Sequence, residues 1–258
     1  MTELQAILRL ARNDFSYFFR TKWLMAILLS LHLSDMLVVA STYNGFMTTD
    51  YTKIFVPAVV IMGLFVAALD TGRRIWLAFR EGVIQYYLSL PISIRGIVLA
   101  YLLAGGLAAL VYSTSLLLVA LVVLPAQAIW NILVLMPFLF ILAMGLAGIA
   151  ASLAALASTH GEYFFAYQSI IQMMLLTLST VYYPMEKVAA YLPSSLLGLV
   201  SANPLSLAAQ AMRENAFGGA PIQPSLLLSI LASSLPFTVI GAVAYYMALQ
   251  AVQRKGKL

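Results

Sequence analysis

Cysteine is absent from the 258 residues of this chain, and charged side chains make up only 9% of it. The lack of cysteine excludes disulfides and thiolate metal sites. The scarcity of charge excludes an ordinary soluble enzyme and a disordered protein, because about a quarter of the residues in a soluble domain are charged. Instead, 63% of the residues are hydrophobic and the mean hydropathy is +0.97. The composition therefore predicts an integral membrane protein.

Catalytic and nucleotide-binding motifs are also missing. The sequence contains no G-x-x-x-x-G-K-[ST] loop, no H-E-x-x-H zinc motif and no G-x-S-x-G serine elbow. We therefore expect no ATP site, no metal site and no catalytic residue in this chain. The net charge of +5 would suit nucleic acid, but the positions of the basic residues favour membrane orientation instead, so no nucleic-acid partner is expected.

Six apolar stretches are long enough to cross a bilayer, since a span needs about 20 apolar residues. They predict an all-α membrane protein with spans at about 22–43, 51–70, 97–124, 128–158, 163–183 and 225–250. The third and fourth spans are joined by an uncharged turn at 124–127, which contains Pro125. The small residues of the fourth span, such as Gly145 and Gly148, predict close packing between helices.

The first residues lack the pattern of a signal peptide, which has a short basic start followed directly by an apolar core. Apolar residues recur at helical spacing from Leu4 to Phe19 and predict an amphipathic helix in the membrane interface over 1–21. A soluble amphipathic helix packed on a domain is the alternative. Polar residues are assigned to the other faces of this helix: Arg9, Arg12, Asn13, Asp14, Ser16 and Arg20.

Basic residues are distributed unequally between the two sides of the predicted membrane. The poorer side has three: Lys53, Lys187 and Arg213. The positive-inside rule therefore places both termini and 71–96 in the cytoplasm of a cell-membrane protein, and 184–224 outside. The richer side has eleven: Arg9, Arg12, Arg20, Lys22, Arg73, Arg74, Arg80, Arg95, Arg254, Lys255 and Lys257.

The predicted cytoplasmic segment 71–96 carries a second helical pattern that should end before Pro91. Its mixture of Arg, Glu and aromatic side chains suits a protein interface. An interfacial helix held by anionic lipid is the alternative. The residues at helical spacing are Trp76, Phe79, Val83, Tyr86 and Leu90.

The predicted external segment 184–224 is too polar to span a membrane. Short helices are predicted at Met185–Leu192 and Leu205–Asn215, separated by Pro193 and by Asn203-Pro204. The segment either forms an outer lid over a pathway or caps the bundle as a surface structure.

Polar side chains inside the predicted spans are candidates for a pathway. His32 and Asp35 lie three residues apart near the middle of the first span, where a charged Asp costs about 2.5–3.5 kcal/mol. They either line a cavity or form a structural hydrogen bond at a subunit or inter-span contact. The fifth span carries a polar stripe that faces protein or water, and so lines the pathway or a subunit contact: Gln168, Ser169, Gln172 and Ser179.

The order of these elements is an amphipathic helix, two spans, a basic helix, three spans, an external helical hairpin and a last span. Arg80-Glu81-Gly82 precedes Leu88-Ser89-Leu90-Pro91-Ile92-Ser93, and Tyr183-Pro184, Pro193, Asn203-Pro204-Leu205 and Arg213 follow the fifth span. Over essentially its whole length the chain resembles the membrane subunit of ATP-binding-cassette exporters of the second type, the ABC type-2 permeases.

The resemblance implies a permease in which two copies, identical or related, form the substrate pathway. Each copy docks a separate ATPase subunit, which binds ATP and Mg, through a coupling helix at about 72–90. The external gate would include Tyr183, Pro184, Asn203, Pro204 and Arg213. A proton-coupled secondary transporter using Asp35 and His32 is the alternative function. The ATPase-coupling residues implied are Arg73, Arg74, Trp76, Phe79, Arg80, Glu81 and Gly82.

Overall fold

The computed structural model describes residues 2–46, 51–120, 132–158, 160–183, 185–218 and 221–254. Within these ranges the regular structure is helical and includes no strand. The predicted turn at 124–127 lies outside the described residues. The all-α class predicted from the sequence is therefore confirmed for the part of the chain that is described.

Two helices form the first part of the chain, and the second of them consists of three consecutive helical pieces. Helix α1 is Glu3–Arg20, and α2 is formed by Lys22–Ser34, a π-helical stretch Asp35–Val39 and Ala40–Phe46. The remaining helices are α3 (Tyr51–Arg80), α4 (Val83–Ser89), α5 (Ile94–Ala120), α6 (Met136–Leu156), α7 (Gly161–Thr177), α8 (Met185–Ala189), α9 (Ser194–Ala202), α10 (Pro204–Gly218) and α11 (Pro224–Arg254).

Helix α1 begins at a capping box, in which Thr2 and Gln5 exchange side-chain and backbone hydrogen bonds. This helix lies within the range 1–21, for which an interfacial amphipathic helix was predicted. The assignment of Asp14 to a polar face is wrong, because Asp14 is buried on the same face as Ile7 and Phe18. Spacings of seven and four residues place the three side chains above one another on a helix.

Among the described residues, five helices are long and apolar enough to cross a membrane: Met25–Gly45, Ile54–Arg80, Ile94–Leu118, Met136–Leu156 and Pro224–Arg254. They confirm the membrane-embedded character predicted from the composition. Helix α7 has 17 residues and is about 25 Å long, less than the hydrocarbon thickness of about 30 Å. The fifth predicted span, 163–183, is therefore not matched by a helix of full spanning length.

Helix α3 runs without a break from Tyr51 to Arg80, so the boundary predicted near residue 71 does not interrupt the helix. The chain turns at Gly82, whose φ of 74° is readily adopted only by glycine, and α4 begins at Val83. The prediction of a single helix over 72–90 is therefore wrong. Its first part continues a span helix, and its second part is a separate short helix.

In the part of the predicted external segment that is described, three helices precede α11 rather than two. Helices α8 and α10 match the two predictions approximately, whereas α9 was not predicted. Pro193 was interpreted as a separator, yet it occupies the residue before α9, where its fixed φ does not interrupt the helix. The nine residues between Pro193 and Asn203 are enough for a short helix.

Helix α6 lies at the centre of the bundle and packs against α3, α5 and α11. Its closest approach is to α11, where a Cβ atom on Gly148 would lie 2.7 Å from the carbonyl carbon of Gly241. Only glycine fits at this contact without a shift of the backbone. The prediction that Gly148 serves helix packing is confirmed.

The two ends of the bundle are defined by contacts between its helices. Glu3 of α1, Arg95 of α5 and Tyr246 of α11 line one cavity, and the last turns of α3 contact α1 at the same end. We call this the basal end. At the opposite, distal end, Arg213 of α10 reaches the carbonyl oxygen of Ile54 near the start of α3.

Candidate functional site

A buried ion network joins α1 to α3 at the basal end. The Arg74 guanidinium donates to Asp14 Oδ2 at 2.9 Å, to Asp70 Oδ2 at 3.3 Å and to Thr71 Oγ1 at 3.1 Å. Arg73 donates to both Asp70 oxygens, at 2.6 and 3.2 Å. The Arg74 side chain is only 1% exposed. Two carboxylates therefore balance two guanidinium groups between the helices.

The carboxyl groups of Asp14 and Asp70 are buried and therefore need a cation nearby. Burial raises the pKa of Asp14 above its usual value, whereas the charge and hydrogen bond of Arg74 act in the opposite direction. Arg74 also lies over the ring of Phe18, 5.1 Å from its centroid. Arg74 thus fixes α1 on α3 through one carboxylate and one ring of the same helix.

Arg80, Glu81 and Gly82 form an exposed turn, which we call the basal elbow. The Arg80 guanidinium carbon lies 5.0 Å from the centroid of the Trp76 ring. Behind the elbow, Asn13 of α1 donates to the hydroxyl of Tyr87 in α4 at 3.0 Å. The elbow is therefore braced by α1 on one side and by α3 on the other.

The residues predicted to couple to an ATPase differ in their exposure. The three elbow residues are exposed, and Arg73 and Trp76 are half-buried. Arg74 and Phe79 are buried within this chain, so the interpretation of these two as partner-facing is wrong. Phe79 belongs to the predicted helical stripe, but it packs in the same core cluster as Ile7 and Leu10 of α1.

A polar cavity of about 360 Å³ opens beside the basal elbow. Trp76 and Arg80 of α3 face His160, Glu162 and Tyr163 at the start of α7 across it. The turn before α7 therefore shares one surface with the elbow. This surface offers a cation, an acid and two aromatic rings to a partner.

His32 and Asp35 point to different environments although both belong to α2. His32 is buried, and its Nδ1 lies 2.8 Å from the Leu28 carbonyl oxygen and 3.0 Å from the Tyr112 hydroxyl oxygen. Asp35 begins the π-helical stretch and is exposed on the surface of the chain. No hydrogen bond joins the two side chains, so the predicted pair is not assembled within the described residues.

The polar stripe predicted along 163–183 is only partly brought together. Ser169 is exposed on α7, and Gln168 and Gln172 are half-buried. Gln168 Oε1 is buried and has no hydrogen-bond donor among the described residues. Ser179 lies beyond the helix, where its hydroxyl donates to the Leu176 carbonyl oxygen at 2.7 Å. Ser179 therefore belongs to the distal end of the bundle and not to a continuous stripe.

Arg213 is the centre of the distal end. Its guanidinium donates to the carbonyl oxygens of Thr180 at 2.7 Å, Tyr183 at 3.3 Å and Ile54 at 3.4 Å, and also to that of Val181. Burial lowers the pKa of Arg213 to about 10, so the side chain remains charged at neutral pH. One guanidinium thus joins α10, the segment that follows α7 and the start of α3.

Asn203 completes this distal latch, which we define as Asn203, Ser206 and Arg213 with the carbonyl groups that they bind. Asn203 Nδ2 donates to the carbonyl oxygens of Leu175 at 3.0 Å and Leu178 at 2.6 Å. Its Oδ1 accepts from the Leu205 amide at 2.9 Å, which caps the start of α10. Ser206 Oγ accepts from the Thr180 amide at 2.9 Å. The latch therefore satisfies backbone groups left open at the end of α7.

The residues predicted to form an external gate have different positions in this arrangement. Asn203 and Arg213 are latch residues, Pro204 is the first residue of α10, and Tyr183 is 62% exposed while its carbonyl accepts from Arg213. Pro184 lies outside the described residues. The residues predicted from the sequence therefore lie in or beside the latch. In the structure, the latch residues bind backbone groups.

Sequence reasoning missed Asp14, Asp70, Tyr112 and Ser206 as partners. A signal for Asp14 was present, because it continues the buried spacing of Ile7 and precedes Phe18 by one turn. Asp70 lies three and four residues before Arg73 and Arg74, a spacing that favours ion pairs on a helix. Tyr112 is 80 residues from His32, and no local pattern indicates that contact.

Comparison with known proteins leaves this geometry as the main evidence on function. No protein-family model matches the chain, and none of the curated proteins compared with it gives a match.

Proposed function

We propose that this chain is the membrane permease subunit of an ATP-driven exporter, an ABC type-2 permease, and that it docks a separate ATPase subunit at the basal end. The observation that carries the proposal is the exposed basal elbow on a helix fixed by buried ion pairs. A partner that drives transport must move a stiff element, because a flexible loop would absorb the movement. The elbow continues α3, a 30-residue helix, so force on it acts on the bundle core.

Six spans belong to this proposal, with α7 and the residues after it as the fifth. Gly161 lies against Trp76 at the basal end, and Thr180 contacts Arg213 at the distal end. The chain from α7 to residue 183 therefore extends between the two ends. An even number of spans agrees with a cytoplasmic location for both termini in the cell membrane, and with an external location for 184–224.

A second copy of the chain, or a related subunit, is also part of the proposal. Asp35 is the eleventh residue of the 21-residue span Met25–Gly45, at its middle, and is exposed on the surface of the single chain. Contact of a carboxyl group with hydrocarbon at this depth costs about 2.5–3.5 kcal/mol. A pathway between two copies would give Asp35 water or a protein partner.

Co-purification tests the docking proposal. We expect the wild-type chain to bring down an ATPase with a Walker motif, which would bind the ATP and Mg that this chain is not expected to bind. Glu81→Arg should weaken that complex, whereas the matched reversal Glu186→Arg in the distal helix α8 should not. Both positions are exposed, so insertion into the membrane should be unchanged. Absence of any such ATPase from the wild-type preparation contradicts the proposal.

Cysteine labelling tests the orientation, since the chain has no native cysteine. Gln223 precedes α11 at the distal side and is exposed. A cysteine introduced there should react with an impermeant reagent added outside intact cells. Reaction only after the cytoplasmic side is opened would reverse the orientation.

The alternative, a proton-coupled secondary transporter, needs Asp35 and His32 to act together. The separation of their side chains argues against a relay between them. We expect transport in vesicles supplied with ATP to persist after an ionophore collapses the proton gradient. Asp35→Asn should retain substantial transport and Asp35→Leu should lose more, because leucine leaves neighbouring polar groups unpaired. Loss of wild-type transport with the gradient would favour the secondary transporter.

A further inference from the structure

Two cavities on the outer surface of the basal end join into one groove between α5 and α11. A cavity of about 630 Å³, which includes Glu3 and Ser93, and an apolar cavity of about 270 Å³ share Arg95, Leu99 and Tyr246. The second continues along the groove past Leu102 of α5 and Val243 of α11. Leu102 lies seven residues after Arg95, about 10 Å further along the helix. The groove therefore has its charged and polar side chains at its basal end and is otherwise lined mainly by apolar side chains.

The polar end of the groove carries one cation and one anion. Arg95 is exposed and forms no ion pair with any residue that the structure describes. Glu3 is also exposed, and its Oε1 accepts a hydrogen bond from the Ser93 hydroxyl. Ser93 Oγ in turn accepts from the Gly96 amide at 3.0 Å. Ser93 thus fixes the Glu3 carboxylate beside the start of α5 and leaves its second oxygen available.

We propose that this groove binds a zwitterionic phospholipid with a primary ammonium group, a phosphatidylethanolamine. Arg95 binds the phosphate, Glu3 accepts from the ammonium, and the acyl chains lie along Leu99, Leu102 and Val243. Phosphatidylglycerol offers no cation to Glu3. Phosphatidylcholine has a quaternary ammonium without an N–H donor, so it cannot hydrogen-bond to the carboxylate. The site is independent of the proposed transport function.

Native mass spectrometry of the purified full-length chain tests the site. The detergent-solubilised protein is incubated with equimolar phosphatidylethanolamine, phosphatidylcholine and phosphatidylglycerol that have identical acyl chains. We expect about tenfold more retained phosphatidylethanolamine than phosphatidylcholine, the ratio that one additional charge-assisted hydrogen bond provides. Equal retention of the three lipids by the wild-type protein overturns the proposal.

Substitutions test which residue binds each part of the lipid. Glu3→Gln should remove most of the preference over phosphatidylcholine, and Arg95→Gln should lower retention of all three lipids by about tenfold. Val243→Trp should displace all three by filling the apolar part of the groove. Glu186→Gln and Arg9→Gln are the matched controls, because both residues are exposed outside the groove.

All of the substituted residues are on the surface, so an unchanged elution volume in size-exclusion chromatography shows that each variant is folded. A Glu3→Gln protein that keeps the wild-type preference overturns the assignment of the ammonium. Equal losses in Arg95→Gln and Arg9→Gln show nonspecific attraction to basic charge and overturn the groove as the site.

Discussion

Two arginines, one buried and one half-buried, hold opposite ends of this bundle, and their charges are balanced in different ways. Arg74 at the basal end contacts the carboxylates of Asp14 and Asp70. Arg213 at the distal end contacts backbone carbonyl oxygens and has no carboxylate within ion-pair distance among the described residues. The basal contact therefore balances charge with charge, whereas the distal contact surrounds one charge with dipoles.

This difference has consequences for what each end can do. A buried ion pair depends on both partners, because removal of one leaves the other charged in a poorly solvating environment. A guanidinium bound to carbonyl groups depends on their geometry, since several oxygens must point at one planar fork. The basal network therefore makes a rigid joint between α1 and α3. The distal latch instead holds a particular backbone path from Leu178 to Tyr183.

The largest effect is expected from Arg74→Met at the basal end. This change leaves Asp14 without its cation and should lower the free energy of unfolding by about 3–5 kcal/mol. Thermal unfolding in detergent measures it, with Arg80→Met as the exposed control. The double variant Asp14→Asn/Arg74→Met should recover part of the loss. Equal stability of the Arg74 and Arg80 variants would show that the basal pairs are not what joins the helices.

Arg213→Lys should have the next largest effect and tests whether the latch depends on geometry. Lysine keeps the charge but cannot reach all the carbonyl groups, and each one left buried and unpaired costs about 1–3 kcal/mol. Faster hydrogen–deuterium exchange at 178–183 should accompany the loss of stability. The control is Arg254→Lys, at an exposed position near the end of α11. Unchanged exchange in the Arg213 variant would indicate that charge alone is sufficient.

Asn203→Ala should cost about 1–2 kcal/mol, because it removes donors to two carbonyl groups and the cap of α10. Gln210→Ala provides a control on the exposed face of the same helix. Thermal unfolding and exchange at residues 175–178 are the measurements. If both variants lose the same stability, Asn203 does not contribute to the latch. The comparison with the basal end then reduces to Arg213 against Arg74.

The smallest effect is expected between the two ends, from Tyr112→Phe. The variant removes one neutral hydroxyl beside His32 and should cost about 1 kcal/mol in unfolding free energy. Tyr86→Phe, at an exposed side chain, is the control. A loss as large as that of Arg74→Met would mean that the middle of the bundle, and not its basal end, contains the main polar joint.

Local sequence patterns were sufficient to predict the helices but not the polar contacts between them. The helical spacing from Leu4 to Phe19 predicted α1, because an amphipathic helix repeats its apolar face every three or four residues. The same reasoning divided α3 near residue 71, since Arg73 and Arg74 look like residues that leave the membrane. Their carboxylate partners remove that constraint, and Asp14 is 60 residues away in the sequence from Arg74.

The candidate site shows the same limit. Sequence position identified Asn203 and Arg213 at the distal end, but their partners are carbonyl oxygens, which every residue has. His32 and Asp35 were expected to share a face because they are three residues apart. Three residues differ by about 60° around an α-helix, and in this bundle that is enough for His32 to contact Tyr112 while Asp35 lies on the surface.

The sequence by itself determined that this chain is helical and embedded in a membrane, because composition and hydrophobic run length act locally and need no partner. Only the tertiary structure decided which polar residues are buried. That outcome depends on whether an acceptor or a counter-charge from a distant helix lies within about 3 Å of each donor. Arg74 and Arg80 belong to the same basic stretch. Arg74 is buried between helices and Arg80 is exposed, because α1 brings Asp14 to Arg74 alone.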